Sequence, residues 1–361
     1  MRYREFPYMQ LAKQLAHSYG HLRQDYVFMA SNQPAEPSPE ELGIELEKAD
    51  LTWKDPYTPP EVREALSSHY GVRPDQVMSV VGGSSFGNFL YCSLVLGEGG
   101  HVVVETPVYD ALPGVAEAMG CSIDLLERRA DAGFDIDIDR LDALARNDTA
   151  LVMLTNPHNP SGVELSEERT IELGEWSARR GIPVLLDEVY LDHVPDRKAA
   201  AAYGTGLVHT GSLTKVYGIG TWRFGWIIAD EKTVMRCERF YDLMGVSMPT
   251  IVDWLARGVL RELPAMRRRI YRSYDERKAM VADSVTRMGL SWVEPRYCPF
   301  GLLRLPEGVD DVEYCRMLRD DHHVLLAPGS FFRAPGSVRV GWTVTPEQLR
   351  TGLDAIESTL S

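Results

Sequence analysis

Short apolar runs alternate with helical patterns through the middle of the chain, and this alternation limits the folds that are open to it. Thr149–Thr155 and Ile182–Leu186 are rich in β-branched and aliphatic residues, as is typical of strands buried on both faces. Strands are predicted at Val77–Val81, His101–Glu105, Ser122–Leu126, Thr149–Thr155, Ile182–Leu186, Val208–Gly211 and Phe224–Ala229. Helices are predicted between most of them, at Ser85–Leu96, Val108–Met119, Asp139–Arg146 and Ser166–Arg180. This order predicts an α/β fold with a mostly parallel sheet flanked by helices.

The two ends of the chain have a different pattern from the middle. The first part combines a helical pattern with a proline-rich loop at 32–39, and long helical patterns follow Glu231. Further strands are predicted at Leu302–Leu305, Val324–Ala327 and Val338–Val340. We therefore predict a large domain over residues 51–245. A smaller α+β domain is predicted from the N-terminal segment 1–50 and the C-terminal part 246–361.

Composition narrows the class of protein further. A chain of 361 residues with 44% hydrophobic residues can bury a sizeable core. Its formal charge of −14 argues against a broad nucleic-acid surface, although a local group of donors can still bind an anion. The five cysteines include no C-x-x-C pair, which favours a reduced, cytoplasmic location. We expect no signal peptide, membrane span or metal site.

Unusual residue clusters follow several of the predicted strands. In open α/β sheets, ligands bind beyond the carboxyl ends of the strands. Ser84 and Ser85 follow two glycines directly before a helix, where free N–H groups favour a phosphate. Tyr109 follows the next strand and can stack on a flat aromatic ligand.

The next two strand ends carry an asparagine loop and a carboxylate. Asn159 lies in the rigid loop Asn-Pro-His-Asn-Pro-Ser-Gly, residues 156–162, and can donate a hydrogen bond to a phenolate oxygen. Asp187 ends a buried strand, and a buried carboxylate needs a partner such as a protonated pyridine nitrogen. Tyr190, three residues later, can reach a hydroxyl group on the same ring.

The last cluster places a lysine behind two hydroxyl residues. Lys215 follows Ser212 and Thr214, and Arg223 lies eight positions further on. A lysine that forms a Schiff base needs a fixed position and a lowered pKa. Hydroxyls and a guanidinium beside it suit a phosphate group.

These motifs together resemble the fold-type I pyridoxal 5'-phosphate (PLP) enzymes, and in particular the class I/II aminotransferase family. The resemblance is carried by N-P-x-N-P-[ST]-G at 156–162, by S-x-[ST]-K-x7-R-x-G from Ser212 to Gly225, and by the segments 328–330 and 337–341. It implies PLP as the cofactor and a homodimer that converts an amino acid and a 2-oxo acid. It also implies a role for each matching residue. Lys215 would be the Schiff-base lysine and proton carrier, and Asp187 the partner of the pyridine nitrogen. Asn159 and Tyr190 would bind the ring hydroxyl, and Tyr109 would stack on the ring.

The resemblance assigns the remaining residues to the phosphate and the substrate. The phosphate site would consist of Ser84, Ser85, Ser212 and Arg223, and Tyr57 would reach the phosphate of the neighbouring subunit. Arg339, with Asn159, would bind the substrate.

The choice of substrate and of reaction stays more open. Leu243 falls where aspartate-type enzymes carry a second arginine, and Phe331, Phe332 and Trp342 add bulk near the carboxylate end, which favours a neutral or aromatic amino acid. The same scaffold also serves C–S lyases, decarboxylases, racemases and cyclases. Two further alternatives are a PLP-sensing regulator and a catalytically silent binding protein. Against the regulator, no basic or helix-turn-helix segment precedes the fold.

Overall fold

The alternating middle of the chain forms a seven-stranded sheet in the computed structural model, which describes residues 4–18, 25–52, 57–96, 99–245 and 247–360. Its strands are β1 (Val77–Val81), β2 (His101–Thr106), β3 (Ser122–Glu127), β4 (Thr149–Thr155), β5 (Val184–Asp187), β6 (Leu207–Ser212) and β7 (Phe224–Ile228). They lie in the order β1-β7-β6-β5-β4-β2-β3. The α/β class predicted from the sequence is confirmed, and every predicted strand of this region is present.

Most strands of this sheet are parallel, and β7 is the exception. It is antiparallel to both of its neighbours, β1 and β6. Only residues 213–223 separate β6 from β7, and they hold no helix. A parallel crossover needs a dozen or more residues. The chain therefore reverses directly, and this reversal places Lys215 and Arg223 in one connection at the carboxyl end of β6.

Helices cover both faces of the large sheet and pack around the second one. They are α1 (Pro7–Ser18), α2 (Pro60–Tyr70), α3 (Ser84–Val95), α4 (Ala111–Ala118), α5 (Ile138–Leu144), α6 (Glu167–Arg180), α7 (Glu231–Tyr241), α8 (Thr250–Leu260), α9 (Leu263–Arg287), α10 (Asp311–His322) and α11 (Pro346–Leu360). The start of α6 shows how the sequence sets a boundary: the Ser166 hydroxyl accepts the Arg169 N–H at 3.0 Å, and two glutamates occupy the first turn. No helix in the described ranges is long and apolar enough to cross a membrane.

A second, antiparallel sheet is built from the C-terminal part of the chain. Its strands are β8 (Ser291–Trp292), β9 (Phe300–Arg304), β10 (Ala327–Pro328) and β11 (Ser337–Gly341), in the order β10-β11-β9-β8. The strand predicted at Val324–Ala327 is shorter than expected, because Val324 instead pairs with Val27 in an isolated bridge. Two backbone hydrogen bonds attach the N-terminal segment to this part of the fold: the Leu325 N–H donates to the Val27 carbonyl at 2.9 Å, and the Gly341 N–H donates to the Met29 carbonyl at 2.7 Å. The domain boundaries at residues 50 and 245 stay a prediction.

Candidate active site

The carboxyl ends of the parallel strands meet at a cleft of about 420 Å³. Its walls come from the connections that follow β1, β2, β4, β5 and β6, and from the N-terminal segment. The lining includes nine of the residues that the sequence singles out: Ser84, Ser85, Tyr109, Asn159, Asp187, Tyr190, Ser212, Lys215 and Arg223. The N-terminal segment adds Tyr8, Met9, Ala12, Asn32, Gln33 and Glu36. One cleft therefore gathers a lysine, a carboxylate and a guanidinium that are far apart in sequence.

The Lys215 amine lies inside this cleft and is held by two side-chain oxygens. Its Nζ donates to Asn32 Oδ1 at 2.9 Å and to Gln33 Oε1 at 3.2 Å. Burial lowers the pKa of Lys215, and the nearby positive charge of Arg339 acts in the same direction. A lysine in such surroundings releases its proton more easily than an exposed one, as a nucleophilic or basic amine requires.

Asp187 ends β5 as a buried carboxylate with few charged neighbours. It is 6% exposed, and burial raises its pKa. The Asn88 amide donates to Oδ2 at 2.7 Å, and the backbone N–H of Val189 donates to Oδ1 at 3.3 Å. Among the described residues no guanidinium or ammonium forms an ion pair with it, so a cationic group on a ligand would complete its surroundings.

The first turn of α3 and the Arg223 connection form a cradle for an anion. Gly82 and Gly83 donate their N–H groups to the Arg223 carbonyl at 2.6 and 3.0 Å. Gly83 precedes the helix with φ 74°, and a Cβ there would lie 3.2 Å from Arg223 Nη2. The missing side chain leaves the N–H groups of the first helical turn open toward the cleft, where Ser212 and Arg223 also lie. This is a site suited to a phosphate.

Arg339 lies directly behind the cleft wall, in a cage of aromatic rings. Its guanidinium is 4.7–5.6 Å from the ring centres of Tyr8, Phe300 and Phe332. Nη1 donates to Asn159 Oδ1 at 2.8 Å, and Nη2 donates to the Tyr8 hydroxyl at 2.8 Å. Burial opposes ionisation of Tyr8, but Arg339 and Lys215 outweigh it and lower the pKa of its phenol. Arg339 is thus fixed in orientation beside Asn159.

The Asn159 loop rests on a fully buried ion pair. Thr155 Oγ accepts the Asn159 N–H at 3.1 Å. The Glu105 carboxylate accepts the Thr155 N–H at 2.7 Å, the Thr155 hydroxyl at 2.5 Å and Arg128 Nη1 at 2.8 Å. Glu105 and Arg128 are at most 1% exposed. Because a buried charge is tolerated only with good partners, this arrangement holds the loop in one conformation.

Besides Arg339, five residues that the sequence associated with substrate or cofactor do not line the cleft of this chain: Tyr57, Leu243, Phe331, Phe332 and Trp342. Tyr57 donates its hydroxyl to Asp242 at 3.0 Å, and the neighbouring Leu243 is 77% exposed. Trp342 packs with Val338 and Val340 in the core of the second sheet. Side chains two residues apart in a strand share a face, so Trp342 points away from Arg339 and adds no bulk to the substrate site. Phe332 does contact the Arg339 guanidinium.

Several residues of the cleft were not found by sequence reasoning. Tyr8, Asn32 and Gln33 come from the N-terminal segment, where only a helix and a proline-rich loop were predicted. Nothing in that local pattern indicates contact with Lys215. Asn88 had a usable signal, because it is a polar residue on the buried side of the apolar helix α3.

The fold and this cleft together define a class of protein: an α/β enzyme with a buried lysine beside an anion cradle. The chain belongs to the aminotransferase class I and II family, whose model matches residues 28–356. This confirms the family, the fold type and the enzyme class predicted from the motifs. PLP is the cofactor of that family.

Relatives and solved structures agree over nearly the whole chain. The aspartate aminotransferase of Thermotoga maritima is 27% identical over 354 residues, which cover 94% of this chain and 92% of that protein. The capreomycidine synthase of Streptomyces vinaceus is 28% identical over 304 residues, covering 83% and 78%. A PLP-dependent aminotransferase structure from Streptococcus suis superposes with a TM-score of 0.90 at 22% identity, covering 100% and 98%. At that identity the structural likeness supports the fold alone.

Proposed function

We propose that this aminotransferase moves the amino group of a neutral or aromatic α-amino acid to a 2-oxo acid, with Lys215 as the amine that holds PLP. The supporting observation is the convergence of Lys215, Asp187 and the anion cradle in one cleft. The residues present fit the cofactor: the α3 turn with Ser212 and Arg223 suits its phosphate, and Asp187 offers a buried carboxylate to the ring nitrogen. Tyr109 would lie against the ring, and Asn159 and Tyr190 would approach its hydroxyl.

The chain's own groups divide the chemistry between binding and proton transfer. PLP supplies an electron sink for the charge that develops on the Cα of the amino acid. Arg339, oriented by Asn159 and Tyr8, offers a planar guanidinium for the α-carboxylate. Lys215, whose pKa burial has lowered, takes the proton from Cα and returns it later as a general acid. Asp187 keeps a negative charge opposite the ring nitrogen.

The cleft wall next to Lys215 favours a donor without a second carboxylate. Tyr8, Met9 and Ala12 line it with mainly apolar surface, and Tyr109 packs edge-on against Tyr8 at 6.0 Å. Glu36 places a carboxylate at the same cleft and accepts the Thr221 N–H at 3.1 Å. Its negative charge repels an aspartate or glutamate side chain, while an aromatic or aliphatic one is accepted.

We also propose that the protein forms a homodimer in the cytoplasm. Tyr57 and Asp242 lie beside the exposed side chains of Leu243 and Met244. Apolar surface of this kind is typical of an interface between subunits. In a homodimer, Tyr57 could then reach the phosphate in the neighbouring subunit. Sedimentation at several protein concentrations tests the dimer.

The proposed function is tested by the visible spectrum and by a donor panel. The native protein with PLP should show the absorption band of a lysine-bound cofactor and transfer amino groups from neutral or aromatic donors. Lys215→Ala should lose both, whereas Lys198→Ala, an exposed lysine outside the cleft, should keep both. Full turnover by Lys215→Ala, or a clear preference for aspartate and glutamate as donors, would contradict the proposal.

A second reaction on the same cofactor deserves a parallel assay. One relative is named for a synthase rather than for amino transfer, and the cleft defines the cofactor more firmly than the fate of the Cα carbanion. The same donor panel, followed for release of ammonia, sulfide or carbon dioxide, separates these outcomes. A product that forms without a 2-oxo acid acceptor would assign the chain to this second class.

A further inference from the structure

A buried amide connects the side chain of Asp187 to a side chain of the neighbouring strand. Asn88, on the second turn of α3, donates its Nδ2 to Asp187 Oδ2 at 2.7 Å. Its Oδ1 accepts the hydroxyl of Thr210 at 2.6 Å. Asp187, Asn88 and Thr210 are all at most 6% exposed. We call these three residues the amide relay.

The chemistry of the three groups fixes the direction of the hydrogen bonds in the amide relay. An ionised carboxylate only accepts hydrogen bonds, so Asn88 must turn its NH₂ group toward Asp187. Its carbonyl then faces Thr210, whose hydroxyl must donate. The opposite orientation of the amide would set two oxygens against each other at 2.7 Å without a proton between them. In this orientation the amide supplies a donor to Asp187, which favours the charged form of the carboxyl.

The fold brings these groups together through the sheet register and one glycine. Asp187 and Thr210 are paired residues on the parallel strands β5 and β6. Helix α3 crosses above them closely, because a Cβ at Gly87 would lie 3.3 Å from Thr210 Cγ2 and 3.4 Å from Ile227 Cγ1. The helix that begins at the anion cradle thus also carries Asn88 to Asp187. One rigid element links both ends of the proposed cofactor site.

The Asn88 amide opposes the effect of burial on the pKa of Asp187. Burial raises the pKa of this carboxyl, and the Asn88 hydrogen bond is the strongest influence in the other direction. The Val189 N–H and the charges of His209 and Lys215 contribute less. Without Asn88, the buried carboxylate would lose its shortest hydrogen bond, so its charged form would become less favourable.

We propose that Asn88 and Thr210 are positioning residues that keep Asp187 ionised and aimed at the ring nitrogen of PLP. This inference rests on the proposed function, and neither residue touches the reacting atoms. Loss of a hydrogen bond to a charged group corresponds to about a 10- to 100-fold change in an equilibrium constant. Loss of the Thr210 donor, one step further away, corresponds to about a 2- to 10-fold change.

The test uses Asn88→Leu, Thr210→Val and a matched control. Ser79→Ala removes a buried hydroxyl from β1 of the same sheet and leaves the amide relay intact. For each protein, the Kd of PLP is measured by fluorescence titration. The protonation of the ring nitrogen is read by NMR with nitrogen-15-labelled PLP. Circular dichroism and thermal unfolding establish that each variant is folded.

We expect both the affinity for PLP and the protonation of its ring nitrogen to decrease, more in Asn88→Leu than in Thr210→Val. Asn88→Leu should raise the Kd of PLP about 10- to 100-fold and move the nitrogen-15 shift toward that of a neutral pyridine. Thr210→Val should change both in the same direction by less, and Ser79→Ala should match the native protein. If Asn88→Leu does not fold, the Kd of PLP and the nitrogen-15 shift of Thr210→Val test the inference. A native Kd and a native nitrogen-15 shift in the folded variants would overturn the inference alone, whereas absence of a lysine-bound cofactor in the native protein would overturn the proposed function as well.

Discussion

The imidazole of His193 is fully buried beside α9, and neither ring nitrogen has a hydrogen-bond partner among the described residues. Tyr274 lies edge-on to it at 6.0 Å. Burial lowers the pKa of His193 from its ordinary value of 6.5 to about 3, although the charge of Asp192 acts in the opposite direction. A charged imidazole is therefore strongly disfavoured in the folded state.

The sign of the resulting pH dependence follows from proton binding. Between pH 6.5 and about 3, His193 binds a proton in the unfolded chain and stays neutral in the folded one. Acidification through this window therefore favours the unfolded state. From the two pKa values, the free energy of unfolding falls by about 2 kcal/mol at pH 5 because of this residue alone.

Replacing His193 with leucine should remove that loss. Urea unfolding at pH 7.5, 6 and 5 should show the stability of the native protein falling about 2 kcal/mol further than that of His193→Leu. The exposed His322 supplies the control: His322→Gln also removes one histidine, and its urea unfolding is followed at the same three pH values. Parallel pH dependences for His193→Leu and the native protein would refute the reasoning.

Three further changes test the site and its support. Glu36→Gln should raise kcat/KM for aspartate about fivefold relative to that for neutral donors, because a repulsive charge at the cleft is lost; equal ratios in steady-state assays would contradict the electrostatic argument. Arg339→Lys should lower kcat/KM about 10- to 100-fold for every amino acid through loss of the planar hydrogen-bonding geometry, and unchanged kinetics would remove Arg339 from the substrate site. Glu105→Gln should lower the free energy of unfolding by about 3–5 kcal/mol, because it leaves the buried Arg128 charge uncompensated; a denaturant midpoint close to that of the native protein would show that the pair contributes little.

The sequence predicted the middle of the chain well, because its signals are local. The bounds of β1 and β4 agree with the predicted ranges, and Ser166 caps α6 as expected. From the rule that ligands bind at the carboxyl ends of parallel strands, Asp187 and Lys215 were expected in one cleft, and both line it.

The remaining parts of the site depend on contacts that local patterns do not show. Asn32 reaches Lys215 across 183 positions of sequence, and Tyr8 reaches Arg339 across 331. Hydrophobic periodicity predicts an element but not the distant side chain that it meets. Trp342 was placed near the substrate because it follows Arg339 in sequence, whereas the period of two along β11 directs it to the opposite face.

The attachment of residues 27–32 to the last sheet also bears on how the protein is made. The carbonyls of Val27 and Met29 accept hydrogen bonds from the Leu325 and Gly341 N–H groups. Just beyond them, Asn32 accepts a hydrogen bond from the Lys215 amine. Because residues 27–32 are synthesised before β11, they can take their final place only after that strand has been made. The nascent chain can form the large sheet before β11 exists, but Lys215 acquires its complete surroundings only after β11 has been synthesised.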